Sequence, residues 1–258
     1  MAQGIKMDQD RDVPNEVGLH LFEGATGRGI RVAVIDSGVN PHHPHVNGVA
    51  GGITIGPGSE INEYLDYLGH GTAVVAAIKE KAPMAAYYAV KIYHDSLRTD
   101  VRFLCEALEW AIDQRMDVVN LSLGTLNSAH RPLIAGLVEI ASEAGVLLVA
   151  AAEADLVPVL PGSLPTVIGV GLDWDCPRDV FRYCSAAQST RWRASGYPRS
   201  LPGMHPRRNL HGVSFATANM CGFVVRACEL ATDRSFSAIT EMLRAEALRF
   251  ALETREAR

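Results

Sequence analysis

The chain lacks several features that would set it apart from ordinary globular proteins. No apolar run reaches the roughly 18 residues needed to span a bilayer, so a membrane partner is not expected. The opening stretch MAQGIKMDQDRDVPNEVG is polar and acidic, without the basic start and the apolar core of roughly 7–15 residues that a secretory signal requires. Cysteine is scarce: Cys105, Cys176, Cys184, Cys221 and Cys228 make an odd count of five with no CxxC pair. That pattern indicates neither a disulfide framework nor a zinc knuckle, and it suits reduced thiols in a cytoplasmic protein. Excess positive charge is also missing, since the formal net charge is −5, which gives no reason to expect nucleic acid as a partner. Internal repeats and low-complexity tracts are absent. What remains is a chain of 258 residues, 48% hydrophobic and 21% charged, the composition of a soluble protein. We expect one domain over residues 1–258, with an N-terminal extension over 1–26 and a C-terminal helix over 232–258.

Strand-like and helix-like patterns alternate along the chain. RVAVID, ending at Asp36, is an apolar and β-branched run broken by Ser37-Gly38. Further strand patterns run over Ala85–Tyr93, Met116–Gly124, Gly145–Asp155 and Ser163–Gly171. Helical periodicity appears over Val101–Gln114 and Arg131–Ala144, in a small-residue helix following Ser214, and from about Ser235 onward. Such alternation predicts an α/β fold in three layers, a mostly parallel central sheet with helices on both faces. Ligands of such sheets lie beyond the carboxyl ends of the strands, where Asp36, Ser122 and Asp155 fall. Cys105, on the buried face of its helix pattern, reads as a core thiol. GATGRG at Gly24–Gly29 resembles a dinucleotide fingerprint only faintly, because it precedes its strand, and it reads as a turn. His42, His43 and His45 crowd a proline-rich stretch that reads as a surface loop, with no regular element to fix a metal site.

Three stretches carry chemistry. His70 lies between glycines in LGHGTAVVAAI, Asp36 closes its strand, and Ser214 follows Gly212 ahead of a small-residue helix in HGVSFATANMCG. An imidazole needs an acceptor to fix its tautomer and a hydroxyl to deprotonate, and a helix N-terminus suits a nucleophile. The stretch 178–211 differs in charge. It holds Arg178, Arg182, Arg191, Arg193, Arg199, Arg207 and Arg208 against a single acid, Asp179. With Pro198, Pro202 and Pro206 it reads as loop, either a solvated surface or a basic rim that recruits an acidic peptide or partner.

These motifs, VAVIDSGVN, GHGTAVVAAI and GVSFATA in that order, resemble the subtilisin-like serine proteases, the subtilases. YYAVKIY, ALEWAIDQRMDVVNLSLG, VLLVAAA and LPGSLPTVIGVG match as well, so the resemblance runs from about Gly27 to Gly222. It implies the three-layer fold and a serine endopeptidase working through an acyl-enzyme. Ser214 would attack the carbonyl, His70 would carry the proton and Asp36 would hold His70. Ser122, Leu123 and Gly124 would pair with an extended substrate, while Ala151 and Ala152 would line the opposite wall of the specificity pocket. Glu153 and Asp155 near that wall suggest a basic residue before the cleaved bond.

The chain departs from the family pattern at three places. The asparagine whose amide donates to the oxyanion is replaced by Ala154, and losing that donor in a family member costs about 10²–10³ in turnover. Asp155 or Asn209 are the candidate substitutes, beside the Ser214 N–H. Ala218 stands where the family usually has proline. His45 stands where a calcium-binding aspartate is usual, which argues against that structural calcium and leaves no cofactor expected. The start of the chain also resembles a mature subtilase with neither signal nor prosegment, so either the sequence begins after processing or the protein matures inside the cell without one, and the initiator methionine favours the second. The expected function is therefore an intracellular serine endopeptidase restricted to particular peptide or precursor substrates. The alternative is a catalytically impaired pseudoprotease that binds peptides or partner proteins.

Overall fold

The computed structural model describes residues 21–57, 59, 63–184 and 192–256, so Arg191 and most of the N-terminal extension lie outside the described residues. The strands are β1 (Arg31–Asp36), β2 (Gly51–Thr54), β3 (Ala86–Lys91), β4 (Val118–Leu121), β5 (Leu147–Ala151), β6 (Glu153–Ala154), β7 (Val157–Pro158), β8 (Val167–Leu172), β9 (Phe181–Tyr183) and β10 (Trp192–Ala194). The helices are α1 (His70–Lys81), α2 (Val101–Asp113), α3 (Arg131–Glu143), α4 (Val213–Leu230) and α5 (Phe236–Glu256). The main sheet has the order β2-β3-β1-β4-β5-β8-β10-β9. All its pairings are parallel except β10 with β9.

Side-chain alternation along each strand divides the core in two. Val32, Val34, Val118, Val149, Ile168 and Val170 pack with α1, α4 and α5. Ala33, Ile35, Val119, Leu121, Leu148 and Ala150 pack with α2 and α3. This is the expected three-layer α/β architecture. Its chain order reverses between β1 and β4, since β3 and β2 lie on one side and β5 and β8 on the other. A crevice at the carboxyl end of β1 follows from that reversal, and Asp36 is the last residue of β1.

α4 is apolar around most of its circumference, with Phe215–Val225 buried without interruption, and so occupies the middle of its layer. It runs unbroken through Ala218. Gly222 lets α1 approach, because a Cβ there would stand 2.8 Å from the Lys81 Cβ. Gly24–Gly29 is a turn, as expected, and it binds an anion of its own. The Glu229 carboxylate of α4 accepts from the N–H groups of Thr26, Gly27 and Arg28 at 2.6, 2.5 and 3.1 Å.

Three segments differ from the sequence reading. β2 was hidden because GGIT is short and glycine-rich, and only its pairing with β3 makes it a strand. The arginine-rich segment is not all loop, since it supplies β9 and β10 at the sheet edge. Arg182 and Arg193 stand opposite each other there, tolerated because each has its own acid, Asp173 for Arg182 and Glu153 for Arg193. Finally, the run read as one strand to Asp155 ends at Ala151. Glu153–Pro158 folds into a hairpin whose turn residues Asp155 and Leu156 both have positive φ, 49° and 66°.

The Glu229 cradle ties the entry to β1 onto α4. Replacing Glu229→Ala leaves three N–H groups without that acceptor and should lower stability by about 1–3 kcal/mol in urea unfolding. Unchanged stability would show that the turn holds itself.

Candidate active site

Asp36 and His70 meet as the sequence predicts. His70 is the first residue of α1, and its Nδ1 lies 2.8 Å from Asp36 Oδ1. A carboxylate only accepts, so Nδ1 carries the proton and Nε2 is left as the basic nitrogen. Asp36 Oδ1 also accepts from the Ser37 N–H at 2.7 Å. Burial pulls the His70 pKa down, but the hydrogen bond and charge of Asp36, with the charge of Asp66, leave it raised above the ordinary 6.5.

The approach of α1 to β1 depends on residues that the sequence reading missed. Gly71 allows no side chain, because a Cβ there would stand 2.2 Å from the Gly38 carbonyl oxygen. Gly69, the residue before α1, offers no side-chain cap, and two other side chains take over that task. Ser37 Oγ accepts from the Gly71 N–H at 2.9 Å. Asp66 accepts from the Thr72 N–H and Oγ through one oxygen, and from Leu68 N–H, Gly69 N–H and Ser37 Oγ through the other. The local signal was there: an acid four residues before the helix-opening His-Gly-Thr is a capping pattern.

Ser214 lies in the first turn of α4, and the following Phe215 ring packs 5.5 Å from the His70 ring. The nucleophile candidate therefore reaches the imidazole's neighbourhood. Its hydroxyl is turned elsewhere, donating to the Ser122 carbonyl at 3.1 Å, while Ser122 Oγ donates back to the Ser214 carbonyl at 3.2 Å. Ser122 is itself oriented by the buried Asn120 amide at 2.9 Å. Among the described residues no Ser214–His70 hydrogen bond is made, and the Ser214 N–H has no acceptor.

The two expected substrate walls are unequal. Among the described residues the main-chain groups of Leu123 and Gly124 have no partner, so an added strand can pair with them. The Ala152 main chain is occupied, donating to the Val170 carbonyl and accepting from the Val159 N–H, both at 2.9 Å. Through that bond the hairpin carries Val159 back between the walls. Its side chain lies against Gly124, where a Cβ would come within 2.5 Å of Val159 Cγ2. The acids expected to charge this wall do not serve it. Glu153 is buried and paired with Arg193 at 3.0 Å, and Asp155 is exposed at the hairpin tip. Ala154 sits in the hairpin beside it, and Asn209 accepts from the Leu210 N–H at 2.8 Å.

The subtilase family model matches residues 27–254. The chain belongs to the subtilase family. Among its curated relatives, the minor extracellular protease Epr of Bacillus subtilis is 40% identical over 51% of this chain and 21% of its own length. Subtilisin of Bacillus pumilus is 37% identical over 50% of this chain and 49% of its own length. The chain thus spans about half or less of the length of these relatives. A solved structure, that of the prenylagaramide maturation protease PagA, aligns with a TM-score of 0.60 at 25% identity, covering 83% of this chain and 93% of that one.

In this subtilase His45 occupies the position where a calcium-binding aspartate is usual in the family. His45 offers ring nitrogen where the cation prefers oxygen, and its ring packs edge-on against His43 at 5.3 Å. Among the described residues no group of three or more His, Cys, Asp or Glu side chains is placed to hold a metal ion, and no helix is long and apolar enough to cross a membrane. Cys105 is buried with its thiol pKa pushed up by that burial, as a core thiol should be. Within the arginine-rich segment, Arg178, Arg182 and Arg193 pair with Glu80, Asp173 and Glu153. Arg199, Arg207 and Arg208 keep the freer charge.

Because the Asp66 charge raises the His70 pKa, NMR titration of the histidines should place His70 above 6.5 and Asp66→Asn should move it downward. A midpoint that ignores the substitution would remove Asp66 from the electrostatics of the site.

Proposed function

We propose that this subtilase is a serine peptidase with Asp36, His70 and Ser214 as its relay. The observation that supports it most is the 2.8 Å Asp36–His70 bond, which leaves the basic Nε2 beside the turn that bears Ser214. In this reading a peptide adds as a strand along Ser122–Gly124, and its N–H competes for the Ser122 carbonyl. The Ser214 hydroxyl then turns to His70 and attacks the scissile carbonyl while Nε2 takes its proton. The tetrahedral oxyanion is met by the Ser214 N–H at the positive end of α4. Its collapse returns the proton from Nε2 to the leaving amine, and water repeats the sequence to release the acid. Asp36 stabilises the imidazolium throughout.

We further propose restricted processing of peptide precursors inside the cell. Val159 between the walls leaves room for a small side chain before the cleaved bond, in place of the basic one expected from the sequence. The likeness to a maturation protease agrees with such a role. Arg207 and Arg208 at the rim, which pair with no acid among the described residues, favour substrates with an acidic segment. A second reading, a peptide-binding pseudoprotease, draws on Ala154 and on the resting orientation of Ser214.

Mass spectrometry after treatment with a serine-reactive fluorophosphonate should find one adduct, on Ser214, and none in Ser214→Ala. Folded protein without an adduct would favour the binder. With a peptide substrate, kcat/KM should hold at high pH and fall as pH drops through the His70 pKa, so its acid limb should lie above 6.5. In a peptide library the parent should prefer Gly, Ala or Ser before the cleaved bond. Val159→Gly removes three side-chain carbons and should raise kcat/KM for Leu or Phe there by about tenfold or more, a discrimination that a single methylene in a hydrophobic pocket can already carry. Equal profiles for the two proteins would place Val159 outside the pocket.

A further inference from the structure

Beside the candidate active site lies a cavity of about 250 Å³ that shares no residue with the Ser122–Gly124 or Ala151–Ala152 walls. It is bounded by Gly69, next to His70, and by Asn209 and Leu210, which lead into the Ser214 turn. Its polar side chains have a common arrangement. Asn40 Oδ1 accepts from the His42 N–H at 3.1 Å, Asn209 Oδ1 from the Leu210 N–H at 2.8 Å, and His43 Nδ1 from the His45 N–H at 3.2 Å. In each the accepting atom is engaged by local backbone. The donors that remain are the two amide NH₂ groups and the His43 Nε2–H.

Arg199 adds a guanidinium to the same cavity. Its nearest acid, Glu80, is 3.9 Å away and is already bonded by Arg178. The one carboxylate on the wall, Asp66, has both oxygens engaged by five donors. Burial first, then Arg199 and His43, lower the His45 pKa below the ordinary 6.5, which keeps His45 neutral near pH 7. The cavity therefore presents the two amide NH₂ groups, the His43 N–H and the Arg199 guanidinium, against an Asp66 carboxylate whose oxygens are already engaged and the single ring nitrogen with which neutral His45 can accept.

We infer that this cavity binds a carboxylate carried by the part of the peptide that follows the cleaved bond. The inference rests on the peptidase reading for its direction: the leaving amine departs toward the imidazole that protonates it, and the cavity adjoins that side. An acidic side chain and a free C-terminus offer the same group. Asn and His donors with one Arg suit a planar carboxylate.

The test uses Ser214→Ala protein with ¹⁵N-labelled histidines and three probes: acetyl-Ala-Glu-Ala-amide, acetyl-Ala-Gln-Ala-amide, and acetyl-Ala-Ala-Ala with a free carboxylate. At least one acid should shift the His43 and His45 ring signals with a Kd about tenfold tighter than the Gln probe. Selectivity for the Glu probe assigns a side-chain carboxylate, and selectivity for the free acid assigns the C-terminus. Arg199→Gln should reduce the preference to within about twofold. So should Asn209→Asp, which keeps the bond to Leu210 N–H but turns the outward donor into an acceptor. Acids that bind no better than the Gln probe, or a preference that survives both variants, would overturn the inference. Fluorophosphonate labelling of Ser214 in the parent protein is read separately. Acid-selective binding without labelling would sink the peptidase reading and leave the cavity standing.

Discussion

The satisfaction of the first amides of α1 is the constraint on which the site depends. A helix that begins at His70 leaves its first N–H groups needing acceptors, and Gly69 has no side chain to cap them. Ser37 and Asp66 supply them, so the loop after β1 and the loop before α1 are fastened to the same turn. The fastening brings the backbones so close that only glycine fits at position 71. His70 is then carried to Asp36 by backbone geometry, with no long side chain having to find its partner. The same Asp66 charge that caps the helix also favours the imidazolium. One carboxylate thus links helix stability, imidazole orientation and the proton affinity of the candidate base.

The sheet and most helices were legible because their signals are local: β-branched runs bounded by glycine, and helical faces of apolar residues. α2 and α3 begin where the periodicity begins. β2 was not legible, since Gly51 and Gly52 have no intrinsic strand preference and owe their conformation to β3. β9 and β10 were obscured by arginines, whose charge reads as solvated surface until the acids that neutralise them are located across the fold. Asp36, His70 and Ser214 were legible from their flanking motifs. Asp66 was missed although its place ahead of the helix carries a local capping signal, and Asn120 was not legible, because its role lies in orienting Ser122 and not in a pattern of its own.

The charge pattern changes meaning once the pairs are known. Seven arginines against one acid in 178–211 read as either a solvated surface or a basic rim. Glu80, Asp173 and Glu153, all outside that stretch, bind three of them. Positive charge is left mainly around Arg199, Arg207 and Arg208, flanking the cavities near Asn209. Ion pairs on the surface contribute little to stability, but they decide where an anion is attracted, and here they narrow a broad strip to one side of the candidate site.

The surroundings of Ala154 are set by one local feature. The chain after β5 turns at Asp155-Leu156 as a tight hairpin with two left-handed residues, so the segment that carries an asparagine in the family becomes paired strand here. Glu153 anchors the hairpin through Arg193. The return strand sets the Val159 N–H on Ala152 and the Val159 side chain against Gly124. The pairing of Glu153 and the placement of Val159 against Gly124 therefore belong to one hairpin and are not independent. An asparagine placed at position 154 alone would sit on a strand whose course was set by Glu153 and Val159.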